Sequence, residues 1–189
     1  MKTKLLMLLV LLGSLWTSNL YAQTRYPKRE FRGAWIQCVN GQFQGMPTEE
    51  MKKVLVSQLD NLQKAGINAI IFQVRAEADA LYKSPYDPWS RFLTGVQGKA
   101  PSPMWDPLQF MIEECHKRNM ELHAWINPYR AKTKGTGALS PMHPYSKNPE
   151  LFVQYAGQLY FDPGLPESRK YICKIVRDIV TRYDVDAIH

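Results

Sequence analysis

Polar side chains able to bind a ligand follow directly on several apolar stretches of this sequence. Each stretch predicts a strand of a parallel sheet, and the carboxyl ends of such strands meet at the edge of the sheet where ligands bind. A strand buried on both faces has no structural use for an amide unless a partner bonds it. The candidate substrate contacts are therefore Gln73, Arg75, Glu77, Asp79, Asn127, Tyr129, Arg130, Asp162 and His189.

Each of these side chains has a simpler alternative role, which is to bond the backbone of its own loop. The alternative is strongest for Asp162, which stands before Pro163 and Gly164 and ahead of a helix that Pro166 opens. An aspartate in such a turn accepts a hydrogen bond from a backbone N–H two residues further on. The combination of polar residues, more than any single one, indicates a binding site.

Aromatic residues lie in or beside the same stretches and loops. Sugars bind to such surfaces, because a sugar ring has an apolar face and a rim of hydroxyl groups. Trp35 and Trp125 also fit as core residues of the sheet, whereas Trp89 and Trp105 belong to a loop, where packing explains them less well. The aromatic residues concerned are Trp35, Trp89, Trp105, Trp125, Tyr82, Tyr86, Tyr129 and Tyr145.

Hydrolysis of a glycosidic bond needs two carboxyl groups, one as general acid and one as nucleophile or base. Loops on the correct side of the predicted sheet supply Glu77, Asp79, Asp87 and Asp162, but no local pattern identifies any of them as catalytic. The histidines share no metal-ligand spacing, and neither an HExxH string nor paired CxxC strings occur. Neither a metal nor a cofactor is therefore expected.

The elements that position these residues alternate between strand and helix. Apolar strands are predicted at 31–37, 69–74, 122–126 and 185–189, with a short extended piece at 159–161. Helices with an apolar stripe are predicted at 48–65, 106–119 and 166–183. Thr48 and Asp106 are the predicted N-caps of the first two helices.

This order predicts an α/β fold with right-handed crossovers, either a (β/α)8 TIM barrel or an open doubly wound sheet. The loops after the strands are long and chemically rich, and those after the helices are short. Such asymmetry is typical of the barrel and weaker in the open sheet. A barrel needs eight strands, so we expect the first half of a (β/α)8 TIM barrel, about four β/α units, truncated from a longer protein.

The composition, 45% hydrophobic and 22% charged, is that of a folded domain and excludes a disordered or coiled-coil chain. Lys2 and Lys4 precede a short apolar run that leads to Ala22, which predicts a signal peptide over 1–22. The run is too short to anchor the chain in a bilayer, and no later stretch is apolar enough to do so. We therefore expect an exported protein, periplasmic or secreted, with its barrel domain over 30–189.

Charge and cysteine content narrow the function further. The formal net charge is +7, but the basic residues are scattered rather than clustered between aromatics, so no nucleic-acid partner is expected. The three cysteines Cys38, Cys115 and Cys173 are too few for a disulfide framework. They are expected to be mostly buried thiols. The alternative is that two of them form one disulfide in an oxidising compartment.

Several strings of this sequence resemble the glycosyl hydrolase-like 10 family of bacteria. The longest are Phe-Arg-Gly-Ala-Trp-Ile at 31–36, Asn-Ala-Ile-Ile-Phe-Gln-Val-Arg at 68–75 and His-Ala-Trp-Ile-Asn-Pro-Tyr-Arg at 123–130. Further matching strings stand at 76–77, 79–82, 88–90, 162–167 and 183–189. The resemblance covers 30–189. It implies an exported (β/α)8 barrel related to glycoside hydrolases, acting on a bacterial cell-wall or other polysaccharide glycan.

The resemblance also implies a catalytic carboxylate in an aspartate-rich segment that follows a histidine like His189, where this sequence ends. The leading hypothesis is an exported glycoside hydrolase whose partner is a polysaccharide or peptidoglycan-type glycan, with this chain as a fragment that lacks that carboxylate. A barrel that binds envelope glycan without cleaving it is the alternative from another class. The third hypothesis is an incomplete product without activity of its own.

Overall fold

A computed structural model describes residues 30–189 of the chain. The predicted signal peptide lies outside the described residues and stays a prediction. Over residues 30–189, no helix is both long enough and apolar enough to cross a membrane.

The elements in chain order are β1 (Gly33–Ile36), α1 (Thr48–Lys64), β2 (Ala69–Arg75), α2 (Arg91–Thr94), α3 (Pro107–His116), β3 (Glu121–Ile126), β4 (Arg130–Lys132), α4 (Pro144–Lys147), a 3-10 turn (Pro149–Leu151), β5 (Phe152–Tyr155), β6 (Gln158–Phe161), α5 (Pro166–Arg182) and β7 (Ala187–Ile188).

Four of the strands form one parallel sheet in the order β1-β2-β3-β7. Each strand of this sheet lies beside the one that precedes it along the chain, and the order never reverses. A doubly wound sheet reverses its order at a switch point, whereas a (β/α)8 barrel adds its strands in sequence. The observed order is therefore that of part of a barrel.

The central strand β2 is buried along its whole length. Ile70, Phe72 and Val74 on one face pack into the main core, which the long helices cover. The other face of the sheet, here called the inner face, carries Trp35, Ile71 and His123 side by side in register. Burial on both faces explains the unbroken apolar run Ala69 to Phe72, which is typical of strands in parallel sheets.

One of the two predicted helix caps is present and the other is wrong. Asp106 caps α3 as predicted, since its Oδ1 accepts a hydrogen bond from the backbone N–H of Gln109 at 3.1 Å. Thr48 is instead the first residue of α1, because Pro47 occupies the cap position without a side-chain bond. The Thr48 hydroxyl is engaged elsewhere, at 3.4 Å from the carbonyl oxygen of Pro103.

The loop predicted after β3 contains a second, antiparallel sheet that the sequence does not predict, in the order β4-β6-β5. A two-residue turn joins β5 to β6, and both of its residues, Ala156 and Gly157, have positive φ angles, 50° and 75°. Positive φ at both positions is typical of a type I′ hairpin, whose usual sequences are Asn-Gly and Asp-Gly. The extended piece predicted at 159–161 is most of β6.

A small second core holds this sheet against α5. Leu159 and Phe161 of β6 pack there with Ile172 of α5 and with Ala78 and Ala131. The rings of Phe161 and Tyr171 also stack, with centroids 5.2 Å apart. The antiparallel sheet is therefore part of the same folded unit as the helix that follows it.

The prediction of mostly buried cysteine thiols is confirmed, with two of the three buried. Cys38 and Cys115 are buried, whereas Cys173 lies on the solvent face of α5 and is exposed. All three are free thiols, and residues 30–189 contain no disulfide. Burial raises the pKa of Cys115 to about 12, so this thiol is not a nucleophile at neutral pH.

Candidate functional site

Gln73, near the carboxyl end of β2, holds the loop that follows β1. Its side chain is buried, and its Oε1 accepts backbone hydrogen bonds from Cys38 at 3.0 Å and from Val39 at 3.4 Å. The Cys38 thiol donates to the same oxygen at 3.4 Å. The amide that sequence analysis singled out therefore has a partner within the chain.

Arg75 is a fully buried cation at the end of β2, and it clamps two loops. Its Nε donates to Oδ2 of Asp87 at 2.6 Å, and its Nη1 donates to the carbonyl oxygens of Asn127 at 2.7 Å and Pro128 at 3.1 Å. Burial disfavours the charged guanidinium, but attraction to Asp87 and the hydrogen bond with it outweigh burial and raise the pKa of Arg75. Arg75 thus fixes the start of the loop after β3.

Glu77 is buried at the centre of a second network, which joins the loops after β2 and β3. Its carboxylate accepts hydrogen bonds from Arg91 Nε at 3.0 Å, from the Thr133 hydroxyl at 2.6 Å and from the Thr136 hydroxyl at 2.8 Å. Burial would raise the pKa of Glu77, but these hydrogen bonds outweigh it and lower the pKa. Glu77 is therefore held as a carboxylate that organises loops.

Asp79 and His143 complete this buried region. Asp79 accepts hydrogen bonds from the backbone N–H of Glu77 at 3.1 Å and from Gln97 Nε2 at 3.2 Å, yet burial raises its pKa. His143 accepts at Nδ1 from the backbone N–H of Tyr145, so its proton is on Nε2, which donates to the Glu77 carbonyl oxygen at 3.0 Å. Burial lowers the pKa of His143. Both side chains are fully buried.

The candidates from the end of β3 are only half-buried. Asn127 donates from Nδ2 to the carbonyl oxygen of Ala76 at 3.1 Å. Tyr129 packs against the small core, and Arg130 lies opposite Tyr160 in the antiparallel sheet. Of these three residues, Asn127 joins the two loops, whereas Tyr129 and Arg130 belong to the antiparallel sheet region.

The last two candidates lie apart from the buried region. Asp162 accepts from the backbone N–H of Gly164 at 2.8 Å, which is the turn-capping alternative weighed for it. His189 is exposed and meets Trp35 edge to face, with ring centroids 5.6 Å apart. His189 is therefore the candidate that belongs to the inner face.

The inner face carries the accessible aromatic surface. A cavity of about 740 Å³ beside β1 is lined by Trp35, Gln37 and Trp125, together with residues of α1. Trp35 is 58% exposed in this chain, which holds four of the eight strands of a barrel. Cavities of this size hold sugar-sized ligands, and indole rings offer the flat apolar surface on which sugars stack.

The nine candidate residues thus form three groups rather than one pocket. The first group bonds loops within the chain and consists of Gln73, Arg75, Glu77, Asp79 and Asn127. His189 alone faces the inner side. The third group consists of Tyr129 and Arg130 in the region of the antiparallel sheet and Asp162 in the turn that leads from that sheet to α5. Their role as substrate contacts stays a prediction for all nine. No group of side chains within residues 30–189 is arranged to hold a metal ion.

Sequence reasoning missed the partners of Glu77, which are Arg91, Thr133 and Thr136. Between 56 and 59 residues separate Glu77 from the two threonines, so no local pattern relates them. His143 is missed too, because the sequence pattern relates the histidines only to metal ligands. The one sequence signal for these partners is their position. Arg91, Thr133, Thr136 and His143 all lie in loops that follow predicted strands, on the same side of the sheet as Glu77.

Comparison with known proteins identifies the family. The model of the family "Glycosyl hydrolase-like 10" matches residues 30–189, which is most of the chain. The chain belongs to the glycosyl hydrolase-like 10 family. It is 47% identical to glycosyl hydrolase YngK of Bacillus subtilis (strain 168) over 167 residues, covering 85% of this chain and 32% of that protein. It is 32% identical to glycosyl hydrolase DigH of Escherichia coli (strain K12) over 189 residues, covering 88% of this chain and 42% of that protein.

This family member spans less than half the length of these curated relatives. Among solved structures it is similar to α-L-fucosidase isoenzyme 2 from Paenibacillus thiaminolyticus, with a TM-score of 0.58, 14% identity, and 85% of this chain and 23% of that chain covered. It is also similar to the maltogenic α-amylase AmyB from Thermotoga neapolitana, with a TM-score of 0.54, 17% identity, and 84% and 38% covered. Identities this low show the fold alone. The prediction of a partial TIM barrel is confirmed.

Proposed function

We propose that the protein is an exported glycoside hydrolase that cleaves a bacterial cell-wall or other polysaccharide glycan, and that this chain supplies one side of its sugar site. The observation that carries the proposal is the inner face, where Trp35 and Trp125 line a cavity and His189 meets Trp35 edge to face. Membership of a glycosyl hydrolase-like family supports the reaction class. The reaction would pass through an oxocarbenium-like transition state with two carboxyl groups.

Burial divides the roles among the candidate residues. Gln73, Arg75, Glu77 and Asp79 are at most 1% exposed, so they position the loops that border the site. A covered side chain cannot touch a sugar unless the loops around it open. Trp35 and His189 are exposed and would make direct contacts, with the indole stacking on a sugar ring and the imidazole bonding a hydroxyl.

The carboxylates at the strand ends are not free to act as a catalytic pair. Asp87 is bonded to Arg75, Glu77 to Arg91 and two threonines, and Asp79 to Gln97. At least one catalytic carboxylate is therefore proposed to belong to the part of the full-length protein beyond the described residues. The family relatives, which are more than twice as long as the matched region, are consistent with such a source.

Release of new reducing ends from defined glycans by the full-length protein tests this function. Replacing the inner-face indole in Trp35→Ala is expected to lower kcat/KM about tenfold, the effect of losing one stacked ring. Val96→Ala is the matched control, because Val96 is equally exposed at 58% but lies in the loop after β2. Absence of product from every glycan, or equal activity of Trp35→Ala and wild type, would contradict the proposal.

A barrel that binds glycan without cleaving it is the second candidate. The engagement of Glu77, Asp79 and Asp87 within the chain favours it, because hydrolysis needs two accessible carboxyl groups. This candidate predicts retention of the full-length protein on an insoluble glycan, loss of retention in Trp35→Ala, and no new reducing ends.

Export is proposed from the leader-like segment that the sequence predicts over 1–22. The test is to separate the periplasm and medium from the cytoplasm of expressing cells and to sequence the amino terminus of the protein. A mature chain that starts at Gln23 outside the cytoplasm is expected. A cytoplasmic chain that retains Met1 would contradict export.

A further inference from the structure

The antiparallel sheet β4-β6-β5 has one face on the small core and the other toward solvent. Residues directly opposite each other in such a sheet project to the same side. Val153 pairs with Tyr160, Tyr155 pairs with Gln158, and Arg130 pairs with Tyr160 from the other flank. These five residues form the solvent side, because Phe152, Leu159 and Phe161 alternate with them and lie in or against the small core. We call this side the tyrosine face.

The tyrosine face is unusually apolar for a solvated surface. The free side of an antiparallel sheet normally carries polar residues. Here Tyr155 is 75% exposed and Val153 is 40% exposed. Tyr155 and Tyr160 are diagonal neighbours across the two strands, a relationship that places their Cβ atoms roughly 7 Å apart. The two phenol rings therefore form a short row on a flat support.

The segment that forms the tyrosine face carries more cations than acids. Residues 130–161 contain the four cations Arg130, Lys132, Lys134 and Lys147 and the single acid Glu150. Within residues 30–189 none of these four cations forms an ion pair. The buried Nε of Arg130 has no hydrogen-bond partner in this part of the chain. The cations are therefore free to bind an anionic ligand.

The tyrosine face also lies on the side of the barrel where the sugar site is proposed. β4 begins at Arg130, only a few residues after β3 ends at Ile126, so the small sheet grows from the carboxyl end of the parallel sheet. The carboxyl ends of barrel strands are where barrel enzymes bind their substrates. A long ligand bound at the inner face could therefore continue onto the antiparallel sheet.

We propose that the tyrosine face is an accessory binding surface for an extended, carboxylate-bearing glycan chain. The inference rests on the proposed function and adds to it a second contact region and the charge of the ligand. The phenol rings stack on sugar rings, and the cations Arg130 and Lys134 bind the carboxylates. A second copy of the chain fits less well, because a two-fold contact would place the cations of one copy against those of the other.

Binding of long hyaluronan fragments to the full-length protein, measured by calorimetry at several salt concentrations, tests this surface. Hyaluronan carries a carboxylate on every second sugar, and its methyl ester is the uncharged comparison. Tyr155→Ala is expected to weaken binding about tenfold, whereas Tyr155→Phe keeps the ring and binds like wild type. Lys134→Gln, which neutralises the lysine beside the turn at Gly157, is expected to bind more weakly and to lose part of the salt dependence.

The control for a general surface effect is Val180→Ala, which shortens a half-exposed side chain on α5 outside the antiparallel sheet and should bind like wild type. Equal binding of hyaluronan by Tyr155→Ala and wild type, or equal binding of hyaluronan and its methyl ester, overturns the proposal. So does a dimer that dissociates in Tyr155→Ala without any glycan binding, since a second copy would then cover the face.

The outcomes also separate this surface from the proposed hydrolysis. Glycan cleavage that Tyr155→Ala leaves intact, together with unchanged hyaluronan binding, overturns the accessory surface and leaves hydrolysis standing. Hyaluronan binding that depends on Tyr155, in a protein that releases no reducing ends from any glycan, supports the surface and contradicts hydrolysis.

Discussion

Arg75 and Asp87 form an ion pair in which neither side chain has any solvent exposure, with Nε and Oδ2 2.6 Å apart. The other carboxylate oxygen of Asp87 accepts from the Tyr171 hydroxyl at 2.9 Å. The pair therefore joins the end of β2, the loop after it and α5. Because both charges are desolvated, the loss of one partner leaves the other without compensation.

Removal of the Asp87 carboxylate is expected to destabilise the protein strongly. Asp87→Ala leaves the Arg75 guanidinium buried and unpaired, which costs about 3–5 kcal/mol in the free energy of unfolding. Asp87→Asn keeps an acceptor for one hydrogen bond and should lose less. Urea denaturation followed by tryptophan fluorescence measures both. Asp184→Ala is the control, because the Asp184 side chain is 95% exposed. A loss in Asp87→Ala no larger than in this control would show that the ion pair is not needed.

Neutralising Glu77 is expected to loosen the loops after β2 and β3 together. In Glu77→Gln one acceptor oxygen is replaced by an NH2 group that faces the donors of Arg91, Thr133 and Thr136. A loss of about 2–4 kcal/mol in the free energy of unfolding is expected, together with faster proteolysis in 133–142. Glu50→Gln is the comparison, since Glu50 is an exposed residue of α1. Unchanged proteolysis of the loop would contradict the assigned role.

The buried His143 is expected to make stability depend on pH near neutrality. Burial lowers the pKa of His143 in the folded protein below its ordinary value of 6.5. As the pH falls through 6.5, the unfolded chain therefore takes up a proton that the folded chain does not, and stability is lost down to the folded pKa. The slope from one proton is at most about 1.4 kcal/mol per pH unit.

The measurement for His143 is the free energy of unfolding of wild type and His143→Gln between pH 7.5 and pH 5. The amide of this variant can still donate to the Glu77 carbonyl oxygen but does not titrate. The free energy of unfolding of wild type is expected to exceed that of the variant by less as the pH falls. Both proteins contain Glu77, Asp87 and Arg75, so the contributions of these charged groups cancel in the difference. A constant difference would contradict the prediction.

The turn between β5 and β6 offers substitutions with opposite expected signs. Ala156 has a φ angle of 50°, a left-handed conformation that costs an alanine roughly 1–2 kcal/mol and that asparagine tolerates better. Ala156→Asn is therefore expected to stabilise the protein by about 0.5–1 kcal/mol. Gly157→Ala should destabilise it, because Gly157 has a φ angle of 75°, a left-handed conformation that strains an alanine.

Thermal unfolding measures both turn variants, and Ala138→Asn is the control for adding an amide to an exposed loop residue whose φ is not positive. An increase in Tm for Ala156→Asn alone is expected. Destabilisation of Ala156→Asn to the same extent as Gly157→Ala would show that this turn does not form.

The parallel sheet follows directly from local patterns in the sequence. The mainly apolar segment Ala69–Arg75 is a buried strand, and Asp106 caps α3, as the sequence predicts, because both signals depend on neighbours along the chain. The antiparallel sheet was not predictable in the same way. Its turn uses Ala156 instead of asparagine, and β4 and β6 pair across about 30 intervening residues.

The sequence by itself determined the alternation of strand and helix, the polar character of the strand ends and the resemblance to a family, since each depends on short strings of residues. Only the tertiary structure decided that Glu77 and Asp79 are covered by their own loops, while Trp35 and Tyr155 remain accessible. The physical reason is distance along the chain. Burial and charge pairing arise from contacts between segments far apart in sequence, and composition and periodicity carry no record of them.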